Sequence, residues 1–193
     1  MAPSTSSTSL MSVVAVLLLL FPVAPAFSPS DQAIFAACKT VGGGSTYVGV
    51  QFCRNALGSV AGSDVDLDYQ VFGGLAVGLL ADNATSTKTK IDSLLRGGGG
   101  SVKPKAEDNA VVSRCLLSCQ SLYGGILDGR PACTAAVKAG KFSEAATILE
   151  KAAAAAKECE YGFVKNRAAS PLSAENDDAF KLAKLGVALV ENA

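Results

Sequence analysis

The residues best suited to chemistry in this chain are six cysteines, Cys38, Cys53, Cys115, Cys119, Cys133 and Cys159, and histidine is absent from all 193 positions. Without an imidazole there is no Ser-His or Cys-His nucleophile pair and no access to the commonest general base. Thiolates can hold zinc, but Cys115-x-x-x-Cys119 lacks the partner ligands that a tetrahedral site needs, so no metal site is expected. Crosslinking is the remaining use of the cysteines, in a compartment where disulfides persist.

The other candidates for chemistry are weak. Asp66/Asp68 and Asp177/Asp178 are paired carboxylates, yet each pair stands at the start of a helical pattern, where acids serve as caps and complement the helix dipole. Gly97 to Gly100 leads into Ser101-Val102-Lys103-Pro104 and lacks the Gly-Lys-Ser/Thr ending of a phosphate-binding loop. No catalytic residue and no cofactor are expected, and the chain reads as a binder of another protein. Asn83-Ala84-Thr85 is an acceptor sequon for N-glycosylation in an exported chain.

The elements that must carry these residues begin after a leader. Met1 to Ala26 has a Ser/Thr-rich start, an apolar run and a small-residue exit at Ala24-Pro25-Ala26, the layout of a cleaved secretory signal, although no Lys or Arg precedes the run. Its uninterrupted apolar core, Val13 to Phe21, is far short of the ~20 residues of a membrane span. The 17 basic and 17 acidic residues balance, and no basic cluster is interleaved with aromatics. Nucleic acid and, after cleavage, a membrane are therefore not expected partners.

Apolar residues recur at three- and four-residue intervals from Asp66 onward, which predicts an all-α fold of four main helices. The first presents Leu67, Val71, Leu75 and Leu79 and continues to Leu95 before the glycine run. The second starts near Ala106 with Val112, Cys115, Leu116, Cys119, Leu122, Tyr123 and Ile126 inward, and Gly129 and Pro131 should bend it. The third runs from Lys141 or Phe142 through an alanine block to Phe163. The fourth has Ser173 as its N-cap and Phe180, Ala183, Val187 and Val190 on its buried stripe. These make a bundle over 65–193. Residues 27–64 form a smaller helical hairpin turning at Gly42 to Gly44, with Tyr47 to Phe52 as the one strand candidate.

Two pairings follow from heights on these elements. If the second and third helices turn at Ala139-Gly140, Cys119 and Cys159 each lie roughly twenty residues from the turn and face each other, whereas Cys115 sits most of a helical turn off level with Cys159. Cys38 and Cys53 flank the glycine turn and can close the hairpin. Cys115 and Cys133 are eighteen residues apart on one helix. They read as buried thiols, with a third disulfide requiring a very sharp bend.

This order of leader, cysteine-closed hairpin and bundle stapled between its second and third helices resembles the plant invertase and pectin methylesterase inhibitor family, in its long-hairpin, pollen-allergen-like branch. Cys38-Lys39-Thr40 with Tyr47 and Phe52-Cys53 resembles the family's hairpin. Leu116, Cys119 and Tyr123 resemble its third cysteine and the Tyr one turn on. Cys159-Glu160-x-Gly162-Phe163 and Ser170-Pro171-Leu172-Ser173-x-x-Asn176 resemble its fourth cysteine and the start of its last helix. The family's four cysteines fall on Cys38, Cys53, Cys119 and Cys159; Cys115 and Cys133 depart from its pattern.

The resemblance implies a secreted, monomeric, up-down antiparallel four-helix bundle that stoichiometrically inhibits an acid invertase, or else a pectin methylesterase, in the apoplast and cell wall or in the vacuole. The alternative class is a non-inhibitory pollen or cell-wall protein on the same scaffold, or a carrier for a small apolar ligand; a carrier needs an unfilled cavity, and the alanine-rich third helix favours tight packing instead. Gly140-Lys141-Phe142 resembles the Pro-Lys-Phe that the invertase branch inserts into the substrate cleft. Lys141 would offer a cation to catalytic carboxylates and Phe142 an aromatic anchor. Equally, Lys141 can be solvated and Phe142 can begin the helix core. Glycine in place of proline should loosen the loop.

Overall fold

The structure, a computed structural model, describes residues 28–59, 68–97 and 106–193, with backbone alone for 106–109. The leader, Asp66, Leu67 and the glycine run beyond Gly97 lie outside the described residues, as do the proposed boundaries at 26 and 64. Six helices and no strand are present among the described residues: α1 Pro29–Gly43, α2 Val50–Gly58, α3 Tyr69–Leu95, α4 Ala106–Lys138, α5 Phe142–Lys165 and α6 Ser173–Val190.

Local chemistry starts these helices in different ways. Ser28 caps α1 reciprocally with Asp31: the Asp31 amide donates to Ser28 Oγ at 3.1 Å and the Ser28 amide to Asp31 Oδ2 at 3.3 Å, with Pro29 preset in the first turn. Asp68 caps α3 by accepting from the Val71 amide at 2.8 Å. Ser45 Oγ accepts from the amides of Tyr47 and Val48, leading the chain into α2. Much of the expected strand, Val50 to Phe52, is therefore the first turn of a helix.

Helices α3 to α6 form a four-sided ring in which α3 and α5 each pack along both α4 and α6. Its core joins Leu80, Leu116, Tyr123, Leu149, Phe163 and Leu182 with a run of alanines on α5. A second core lies under the α1–α2 hairpin, where Ile34, Val41, Val48 and Leu57 pack on Phe72, Ala76, Leu185 and Leu189 of the bundle. Tyr47 adds an edge-to-face contact with Phe180 of α6, centroids 5.3 Å apart.

The buried face of α3 is rotated from the one expected. Phe72, Gly73, Ala76, Val77, Leu80, Ala81 and Ala84 are buried, while Val71, Leu75 and Leu79 are only half-buried. Helix α3 turns Phe72, Val77 and Leu80 inward among small residues, so Leu75 and Leu79, which lie beside them in sequence, do not mark its centre. As expected of one helix, α4 runs on through Pro131. Cys133, Ala136 and Val137 just beyond it are buried, and that packing offsets the lost backbone bond. Ser173 is the first residue of α6 and not its cap; Leu172 holds the cap position with no side-chain bond. Phe180 is only partly buried.

Two disulfides staple the cores separately. Cys38–Cys53 joins α1 to α2 with Cα atoms 5.5 Å apart, and Cys119–Cys159 joins α4 to α5 at 4.9 Å. Closing loops of these lengths removes unfolded-chain entropy worth about 3 and about 4 kcal/mol respectively. Cys115 and Cys133 are free and buried. By length and composition alone α4 could cross a bilayer, but here its apolar stripe is buried against the neighbouring helices.

Candidate functional site

The α4–α5 turn is built by backbone bonds. Gly140 has φ +68°, its amide donates to Val137 O at 3.1 Å, and the Lys141 amide donates to Ala136 O at 2.9 Å. This pair of bonds around a left-handed residue is the Schellman arrangement that closes a helix C-terminus. Gln70, reaching from α3, donates its side-chain amide to Val137 O at 2.7 Å and also contacts Lys138 O. The last carbonyls of α4 are thereby paired, and the turn is braced from a third helix. The expectation that glycine would loosen this turn is corrected: Gly140 permits the conformation that ties it down.

Lys141 projects from this braced point. It is exposed, and its one ion pair among the described residues is a 3.7 Å contact with the also exposed Glu144, an interaction worth little in water. Lys138 is also exposed. The tip thus carries two cations against one carboxylate, at the α4 end where positive charge complements the helix dipole. Phe142 behaves differently. It is half-buried, leaning on the bundle core, and it lines a shallow groove with Ala146, Val190 and Ala193. The turn offers an accessible cation next to an aromatic that already serves the fold.

Asn83 is far from the turn, half-buried in the middle of α3. Its carbonyl accepts from Thr87 Oγ1 at 2.8 Å, and Thr85 Oγ1 donates to Ala81 O. Among the described residues no group of three or more His, Cys, Asp or Glu side chains could hold a metal.

A polar chain running from the buried Tyr123 and Asn176 out to the half-buried Glu160 and exposed Ser173 ties α4, α5 and α6 together. Tyr123 Oη donates to Asn176 Oδ1 at 2.8 Å, Asn176 Nδ2 donates to Glu160 Oε2 at 2.7 Å, and Ser173 Oγ donates to Glu160 Oε1 at 2.7 Å. Burial pushes the Tyr123 phenol far up, helped by the surrounding carboxylates, so it stays a neutral donor. Burial also acts to raise the Glu160 carboxyl, but hydrogen bonds from Ser173, Asn176 and Ser170 outweigh it and hold the group below the usual range. Beside it, Lys90 of α3 pairs with Glu175 of α6 at 2.6 Å.

A family model for plant invertase/pectin methylesterase inhibitors matches residues 32–189. The chain belongs to this family. Comparison with curated proteins returns no match.

The inhibitor family comprises proteinaceous inhibitors of invertase or pectin methylesterase rather than enzymes, and its members act on an enzyme partner outside the cell. Two disulfides suit such a setting. Of the residues singled out from sequence, Gly140, Lys141 and Phe142 are gathered at one end of the bundle, whereas Asn83 stands apart on α3. Gln70 was missed because a polar residue at the start of a helix gives no hint of a partner 67 positions away. The Tyr123–Asn176–Glu160 chain unites three of the motifs that carry the resemblance, although each motif by itself reads as local.

Proposed function

We propose that this inhibitor acts on an acid invertase, exported to the apoplast, with the α4–α5 turn entering the substrate cleft and Lys141 facing the catalytic carboxylates. The observation that carries this reading is the exposed Lys141 ammonium on a turn already fixed by the Gly140 backbone bonds and Gln70. A cation presented without loop ordering loses less entropy on binding. Glycosidase clefts hold paired carboxylates to receive it. In the exported chain Asn83 is the acceptor for an N-linked glycan.

One observation favours a second target. Phe142 leans on the bundle core, so an aromatic anchor would have to be drawn off its packing, whereas covering the cleft of a pectin methylesterase with a helix face needs no such movement. Paired assays decide between them. The purified chain should lower acid invertase activity at mildly acidic pH in a stoichiometric manner. Lys141→Ala should weaken that inhibition tenfold or more without lowering thermal stability. Blockade of pectin methylesterase with invertase untouched would overturn the reading.

A further inference from the structure

Between α3, α4 and α5 the bundle is incompletely filled. A cleft of about 410 Å³ lies there, with Leu80, Ile126 and Leu149 on its floor. Its width follows from small residues: Gly125, Gly129 and Ala132 of α4 stand opposite Ala152 and Ala155 of α5, where close packing would use larger aliphatics. A Cβ added at Gly125 would meet no atom within 4 Å. Cys133 also lines the cleft, its thiol pushed up to about 11 by burial and directed at Ala145 O, so it contributes a neutral, apolar wall.

The mouth has the opposite character. Arg130 of α4 and Lys151 of α5 line the cleft and are exposed. None of the ion pairs among the described residues involves either of them. Asp128 is two positions from Arg130, a spacing that faces away on a helix. Glu150, beside Lys151, is engaged by Lys184 at 2.5 Å. An apolar slot of ordinary ligand size with two unpaired cations at its edge fits one kind of molecule, an apolar chain that ends in an anion.

We infer that this cleft binds a medium-chain fatty acid, with the acyl chain over Leu80, Ile126 and Leu149 and the carboxylate at Arg130 and Lys151. Arg130 lies ten residues before Gly140, about 15 Å along α4. The site is therefore set back from the turn assigned to enzyme inhibition, although Lys151 also lines the groove beside Phe142, and it goes beyond that function.

The test is calorimetric titration of the purified chain with dodecanoate below its micellar range, beside dodecanol as the neutral analogue. Saturable one-to-one binding with a negative heat-capacity change is expected, with dodecanol at least several-fold weaker. Gly125→Leu, which fills the slot and favours helix, should cut dodecanoate affinity at least tenfold without lowering the melting temperature. Arg130→Gln with Lys151→Gln should weaken dodecanoate several-fold at low salt and leave dodecanol unchanged. Absence of dodecanoate binding, or equal affinity for dodecanol, overturns the proposal. So does affinity that survives Gly125→Leu, or concentration-dependent dimerisation that this substitution abolishes, which would make a second copy the occupant. Inhibition of invertase by Gly125→Leu should match the unmodified chain, so each function can fail without the other.

Discussion

The Tyr123 hydroxyl donates to Asn176 Oδ1 at 2.8 Å between two helices, α4 and α6, with both residues buried. Removing the donor alone leaves the amide oxygen unpaired in the core. Tyr123→Phe should therefore destabilise the fold by about 1–3 kcal/mol, read from urea unfolding. Adding Asn176→Ala should cost less than the sum of the single changes, since the pair is then already broken. Fully additive costs would mean that the bond contributes nothing.

Glu160 makes the same chain sensitive to acid. Its folded carboxyl sits below the ordinary range, so it stabilises the fold above that range, and the stabilisation is lost as pH falls through the depressed value. Melting temperatures followed from neutral into acid should fall more steeply for the native chain than for Glu160→Gln. Parallel curves would remove the carboxylate from this role.

Gly140→Pro offers a sharp check on the turn. Proline fixes φ near −65° and has no amide hydrogen, whereas position 140 has φ +68° and donates to Val137 O. The substitution should cost at least about 2 kcal/mol by these two losses together, and should weaken enzyme inhibition even though it writes Pro-Lys-Phe into the sequence. A stable and more potent Gly140→Pro variant would show that the turn rearranges freely. Gln70→Ala, acting through the same carbonyls, should cost about 1 kcal/mol.

The helix inventory was legible in the sequence because glycine, proline and polar clusters punctuate strong apolar periodicity. The level heights of Cys119 and Cys159 were legible too, since the short α4–α5 turn makes position along each helix a simple count. What was not legible depended on neighbours. The buried face of α3 combines Phe72, Val77 and Leu80 with small residues whose importance appears only once α4 and α6 lie against them. Ser173, an obvious cap by type, turns its hydroxyl to Glu160 on another helix instead. At the candidate site, Gly140 was visible but its purpose was misread, since a left-handed turn shows in dihedral angles and not in composition.

The two lone thiols give a chemical readout. Cys115 and Cys133 are both buried, so access to either is poor, and the Cys133 thiol is in addition raised to about 11, where thiolate is scarce at neutral pH. Iodoacetamide at neutral pH should leave the native chain unlabelled, and two alkyl groups should appear by mass once urea unfolds it without reductant. Rapid labelling of the native chain would mean that the bundle opens locally around α4.

Each disulfide closes within one core: 15 positions separate Cys38 from Cys53, and 40 separate Cys119 from Cys159. No covalent link joins hairpin to bundle apart from the chain itself. Under tension applied at the two ends, those internal stretches carry no load, and most of α5 and the end of α4 are shielded from extension. The hairpin should peel from α3 and α6 first, because only side-chain packing resists its departure. The molecule then behaves as two covalent knots on one thread, whose extended length grows in distinct increments when a reductant opens either knot.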